Sequence, residues 1–102
     1  MATKTAPTVT ALEAQGVANL FLSDHLGDRF LAVRAQLAEG DVVWRVPVVL
    51  TYAVVGPVGE VGEVVVSAST EEVVSHTPVE EMKERARALY NQHREQIEAP
   101  LS

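Results

Sequence analysis

The chain has 102 residues, 47% of them hydrophobic and 22% charged, and no cysteine; that balance suits one globular domain with one modest core and rules out disulfides and thiolate metal sites. Fourteen acidic against eight basic residues leave a net charge of −6, which repels phosphate backbones and anionic headgroups at long range, so nucleic acid and membrane are not expected as partners. There is no run of about 18 apolar residues, and the N-terminal MATKTAPTVT lacks the apolar segment of a signal peptide, which points to a cytoplasmic protein.

Residues 1–9 are mostly small and polar, with Pro7 among them, and read as a disordered arm ahead of a single domain over residues 10–98. Thr10 and Glu13 have capping-box spacing and open a helix. Its apolar stripe is read as Leu12, Gly16, Val17, Leu20 and Phe21, and Gly27 ends it through its ease at positive φ.

From Arg29 to Leu37 the period changes to two, with Leu31, Val33, Ala35 and Leu37 on one side and Phe30, Ala32, Arg34 and Gln36 on the other. Glu39, Gly40 and Asp41 make a hairpin turn into a strand from Val42 to Tyr52. That strand directs Trp44, Val46, Val48, Leu50 and Tyr52 to the core, and Val43, Arg45, Pro47, Val49 and Thr51 away from it. Pro47 has no amide to donate, so one side of the ladder must break there. Gly56, Gly59 and Gly62 read as a loop or wide hairpin before a third strand, Glu63 to Ser69, whose Val64, Val66 and Ala68 join the core. Thr70 to Glu72 turn the chain again, and Val73 to Ser75 suffice for a short last strand or an extended exit.

Thr77, Pro78 and Glu80 combine a second capping box with a proline at the first helical position. The helix they open carries Val79, Met82, Ala86, Leu89, His93 and Ile97 at spacings of three and four, and runs toward Pro100, beyond which residues 99–102 form a frayed tail. The fold class expected is α+β: a small antiparallel β-meander of three to four strands flanked by an N-terminal and a C-terminal helix.

The segment Val66-Ser67-Ala68-Ser69-Thr70-Glu71-Glu72-Val73 resembles the strand-turn ending of PepSY-type domains, which read valine, aspartate, alanine, any residue, threonine, glycine, any residue, valine. The alternating Trp44-Arg45-Val46-Pro47-Val48 and the order of elements over about residues 10 to 75 are similar too. Ser67 stands in place of the family's aspartate, and Glu71 in place of its turn glycine, where a positive φ would cost a side chain energy. The resemblance implies a non-enzymatic binding or regulatory module and brings no catalytic residues.

Nothing in the residues adds chemistry to that reading. His25, His76 and His93 have no second histidine three or four positions away, as a metal site built on one helix or turn would need. Ser23, Ser67, Ser69 and Ser75 sit in no nucleophile elbow, and the glycine series lacks a P-loop lysine while carrying Glu60 and Glu63, which would repel an anion. No catalytic, cofactor-binding or metal residues are assigned, and Glu71-Glu72 and Glu80-Glu81 read as a solvated acidic rim.

Three functions fit such a chain: an interaction module, a small-molecule-binding protein or enzyme with a pocket between sheet and helices, and an acidic antitoxin-like partner of a basic protein. The first is favoured, as a homodimer. With both helices on the Trp44 face, the other face keeps Phe30, Ala32, Val43, Pro47, Val49 and Val65, with Arg34 and Arg45 at its rim, too apolar for open water. Helices divided between the faces would instead cover both.

Overall fold

The structure, a computed structural model, describes residues 8–98 other than 39 and 41. It is an α+β fold with helix α1 (Ala11–His25) before an antiparallel sheet and helices α2 (Val79–Gln92) and α3 (Arg94–Glu98) after it. The strands are β1 (Phe30–Ala32), β2 (Gln36–Ala38), β3 (Val43–Tyr52), β4 (Gly56–Ser67) and β5 (Val73–His76). Strands β1 and β2 lie end to end along one side of β3, and β4 and β5 follow on the other. No helix among the described residues is long and apolar enough to cross a membrane.

The capping box at α1 is complete: Thr10 Oγ1 accepts from the Glu13 amide at 3.1 Å, and Glu13 Oε1 accepts from the Thr10 amide at 2.8 Å. Gly27, at φ 103, ends the helix, and its amide reaches the Leu22 carbonyl at 2.9 Å. The buried side of α1 is Ala14, Ala18 and Leu22, rotated from the expected stripe: Leu12 is 78% and Leu20 69% exposed, while Val17 and Phe21 pack partly. Apolar residues almost encircle this helix, so periodicity alone leaves its rotation open. Two polar side chains settle it, because Asn19 Oδ1 accepts from the Ala32 amide at 2.9 Å and Gln15 Oε1 from the Ala35 amide at 3.2 Å, along the outer edge of the sheet. Val9, read as part of the arm, belongs to the core: it is 2% exposed, donates to the Ala68 carbonyl and accepts from Trp44 Nε1 at 2.8 Å. Residues 1–7 of the expected arm and residues 99–102, the expected tail, lie outside the described residues.

The strand expected from Arg29 to Leu37 is two strands with a bulge between them. Ala32 pairs with Val48 and Gln36 with Arg45, so four steps on one chain match three on the other, and Arg34 takes φ 46 in the interval. The Val33 amide donates to the Pro47 carbonyl at 2.9 Å, so the missing amide of Pro47 faces the bulge, where the ladder is already interrupted. The extra residue reverses the alternation. Phe30 lies opposite Leu50 and Ala32 opposite Val48, both on the core face, and Leu31 lies opposite Val49 on the other. Phe30 and Ala32 therefore do not belong to the outer face assigned to them from the period alone; Ala32 is 3% exposed within the core.

Strand β4 starts at Gly56, so the glycine series is strand and not loop. Two register shifts against β3 pass over Val58 and Val61 and bring Gly59 and Gly62 to the core face, opposite Leu50 and Val48. A Cβ on Gly59 would lie 2.8 Å from a Leu89 methyl, and one on Gly62 would lie 2.7 Å from Thr77 Oγ1 and 2.9 Å from Met82 Cγ. These glycines are the seat of α2, which packs on β4 while α1 packs on β1, β3 and β4.

One core joins Ala14, Ala18 and Leu22 of α1, Met82 and Ala86 of α2, and the inward valines of β3 and β4. Both helices therefore lie on the Trp44 face, and they do not divide between the two.

The second capping box does not form: α2 begins at Val79, and its N-cap Pro78 offers no side-chain bond. Thr77 is engaged elsewhere, its Oγ1 accepting from the Glu63 amide and its own amide donating to the Glu63 carbonyl, both at 3.0 Å. It extends the β5 ladder by one pair and ties the start of α2 to β4. The long last helix is also broken, at His93 (φ −112, ψ 19), and Ile97 beyond the break lies outside the core.

Two tests of α2 docking follow from these contacts. Gly62→Ala should cost about 1–3 kcal/mol, since Thr77 Cβ stands close to the backbone and cannot swing aside, whereas Gly59→Ala meets only the tip of Leu89 and should stay within about 1 kcal/mol of wild type. Equal melting temperatures for the two variants would refute the seat. Thr77→Val keeps the shape but leaves the Glu63 amide without its acceptor, an expected loss of about 1–3 kcal/mol in chemical denaturation that Thr77→Ser should largely avoid.

Candidate functional site

Among the described residues no helix covers the face of the sheet away from α1 and α2. Along β3 it presents Val43, Arg45, Pro47, Val49 and Thr51; β4 adds Glu60, Glu63, Val65 and Ser67 at the paired positions, and β1 adds Leu31. Leu31 is 41% exposed, and Val43, Pro47 and Val49 are half-buried. Val65 is 7% exposed although it lies outside the core cluster. Beside it Arg45 forms a two-nitrogen ion pair with Glu63, Nη2 to Oε2 at 2.5 Å and Nε to Oε1 at 3.2 Å, across the β3–β4 pair.

Of the residues assigned to this face from sequence, Val43, Arg45, Pro47, Val49 and Val65 are together on it. Arg34 stands exposed in the bulge on its flank, and Phe30 is on the opposite side. Leu31 also lies on this face, because the bulge at Arg34 shifts the period of two by one residue. A non-glycine residue at positive φ leaves no mark in the sequence, but the proline opposite it on β3 does.

On the helix side, a cleft of about 390 Å³ opens between the end of α1, the β1 and β3 strands and α2. Its floor is apolar: Leu26, Phe30, Leu50 and Ala86. From the sheet side Arg29 lies over the ring of Tyr52, 4.5 Å from its centroid, held by a backbone bond from the Thr51 amide to the Arg29 carbonyl at 2.8 Å. From α2 come Lys83, Arg87 and Tyr90, on one stripe with Ala86. The lone acid in its lining is Asp28.

Lys83 lies 3.7 Å from Glu80, while Arg29 and Arg87 have no ion pair among the described residues. A shallower depression shares Asp28, Arg29 and Tyr52 with the cleft and runs on past Ala53 to Gly56. The signal for the cleft was present in the sequence as Lys83 and Arg87, one turn apart on a helix otherwise rich in glutamate.

Among the described residues no group of three or more histidines and carboxylates is placed to hold a metal ion. His25 donates from Nδ1 to the Phe21 carbonyl at 2.9 Å and stacks on the Phe21 ring, whose centroid is also 4.5 Å from that of His76. His93 bonds Gln96 Oε1 at 2.9 Å. The chain matches no family model, no curated protein and no solved structure.

Tyr90, at the rim of the cleft, donates its hydroxyl to the Glu98 carboxylate. That bond, with lesser help from desolvation and the Glu98 charge, raises its pKa above the ordinary 10.0 against an opposing effect of Arg94. The raised value keeps the phenol neutral and bonded through the ordinary pH range, and the bond is lost as pH rises through it. Glu98→Gln should lower the Tyr90 titration, read by phenolate absorbance in a Tyr52→Phe background; an unchanged midpoint would show that the bond does not persist in solution.

Proposed function

We propose that the protein is a non-enzymatic interaction module whose uncovered sheet face meets a second copy of the chain across a two-fold axis. The observation that carries this reading is the apolar strip of Pro47 and Val49 on β3, with Leu31 beside Val49 on the edge strand β1, on a face that neither helix covers. The flanks favour self-association over an unrelated partner. Arg34 on one flank and Glu60 on the other have no ion pair among the described residues. A two-fold axis running along the strands over Pro47 and Val49 lays the Arg34 flank of one copy over the Glu60 flank of its partner.

Strand spacings of about 4.8 Å and rises of about 3.3 Å give a face of roughly 500 Å² per copy, or about 1,000 Å² in all, at the lower bound for a specific interface. A micromolar dimer is therefore expected. Sedimentation should show concentration-dependent dimerisation that Val49→Glu abolishes. Arg34→Glu should weaken it, and the double exchange Arg34→Glu with Glu60→Arg should restore it. A wild-type monomer at about 100 μM, or a dimer indifferent to Val49→Glu, would refute the sheet-face interface.

A further inference from the structure

We infer that the cleft between α2 and the β1–β3 side of the sheet is a binding site for a small monoanionic carboxylate on a flat apolar body. It lies on the helix side, away from the proposed dimer face, and does not depend on that reading. Three observations converge on it.

The first is charge. In a chain of net charge −6, this one concavity gathers Arg29, Lys83 and Arg87 against Asp28 alone. Arg29 comes from the turn before β1 and Arg87 from α2, so two walls built by distant parts of the chain each supply a guanidinium without an acidic partner among the described residues. Like charges facing one concavity repel, and an anion between them removes that repulsion. A guanidinium binds a carboxylate through paired N–H bonds.

The second is the floor. Leu26 and Phe30, both half-buried, offer apolar surface, Leu50 and Ala86 line the cleft from the core, and the rings of Tyr52 and Tyr90, 6.2 Å apart and inclined by 46°, stand beside it. A fully hydrated inorganic anion gains nothing from such a floor, whereas a flat hydrocarbon body buries area against it. The cleft's size falls within the range of small-ligand sites.

The third observation separates carboxylate from phosphate. Asp28 offsets one of the three positive charges in the lining, and Glu80, 3.7 Å from Lys83, offsets part of another. The net charge of +2 in the lining is thus cut toward +1, which suits a monoanion better than a dianion. The Tyr90 hydroxyl is turned to Glu98 and is not offered to the ligand.

The test is titration of the full chain with 2-naphthoate, followed by amide chemical shifts. Millimolar or tighter binding is expected, with shifts confined to residues 26–30, 50–52 and 83–90. The uncharged 2-naphthamide should bind about tenfold more weakly or worse, and acetate, which has the charge without the body, should not bind measurably. Arg29→Gln and Arg87→Gln should each weaken naphthoate about tenfold. Both positions are exposed, so melting temperatures should stay at the wild-type value and separate loss of binding from loss of fold. Naphthamide binding as well as naphthoate, shifts centred elsewhere, or no binding at several millimolar would overturn the inference. Tighter binding of 2-naphthyl phosphate than of naphthoate would overturn the assignment to a carboxylate.

Discussion

The arrangement of this fold rests on two absent side chains. At Gly59 and Gly62 the core face of β4 carries no Cβ, and Leu89, Thr77 and Met82 occupy the space. Any larger residue at position 62 pushes against the start of α2, where Thr77 is already bonded to Glu63 through its amide and its hydroxyl. The start of the helix is thus held by a hydrogen-bonded pair in place of a cap. With that end fixed, Met82 and Ala86 enter the core, and Lys83, Ala86, Arg87 and Tyr90 come to line one cleft. The position of the cleft follows from the packing of glycine against helix, and its chemistry from which side of α2 that packing leaves free.

The sheet contributes a second constraint, the bulge around Arg34. A proline in the middle of β3 removes one donor, and the neighbouring strand meets it with an extra residue that breaks pairing at the same level. One inserted residue moves every side chain before it to the opposite face. Phe30 thereby passes from the outer face to the floor of the cleft, and Leu31 passes outward to meet Val49. The same local event therefore shapes both candidate surfaces. Gln15 and Asn19 of α1 then accept from the Ala35 and Ala32 amides, which satisfies donors at the sheet edge and fixes the rotation of α1.

Much of this was legible in the residues. The Thr10 and Glu13 box, the alternation of β3 from Trp44 to Tyr52, the break required at Pro47 and the stop at Gly27 each depend on interactions a few positions apart, and each forms as read. What could not be read depends on partners distant in sequence. Thr77 and Glu80 carry the spacing of a capping box, yet the Glu63 amide holds the threonine. Leu12 and Leu20 are as apolar as Leu22, and only the bonds of Gln15 and Asn19 to the sheet edge decide which of them is buried. The three glycines look like loop punctuation until a helix is placed over two of them.

Net charge is a poor guide to the cleft for a related reason. At physiological ionic strength a charge is felt over about 8 Å, so what a ligand meets inside a concavity is its own lining and not the sum over the chain. The acidic total of −6 bears on long polyanions that must approach the whole surface, and there it argues against binding. A molecule small enough to enter the cleft meets Arg29, Lys83 and Arg87 with Asp28 over an apolar floor. Arg29 and Arg87 are 58 positions apart in sequence, and their convergence is a product of the fold: the bulge turns β1, the glycines seat α2, and the two arginines come to line the same concavity. Residues spread so widely along a chain register in composition only as part of an average, which is how an acidic protein can carry a site with affinity for anions.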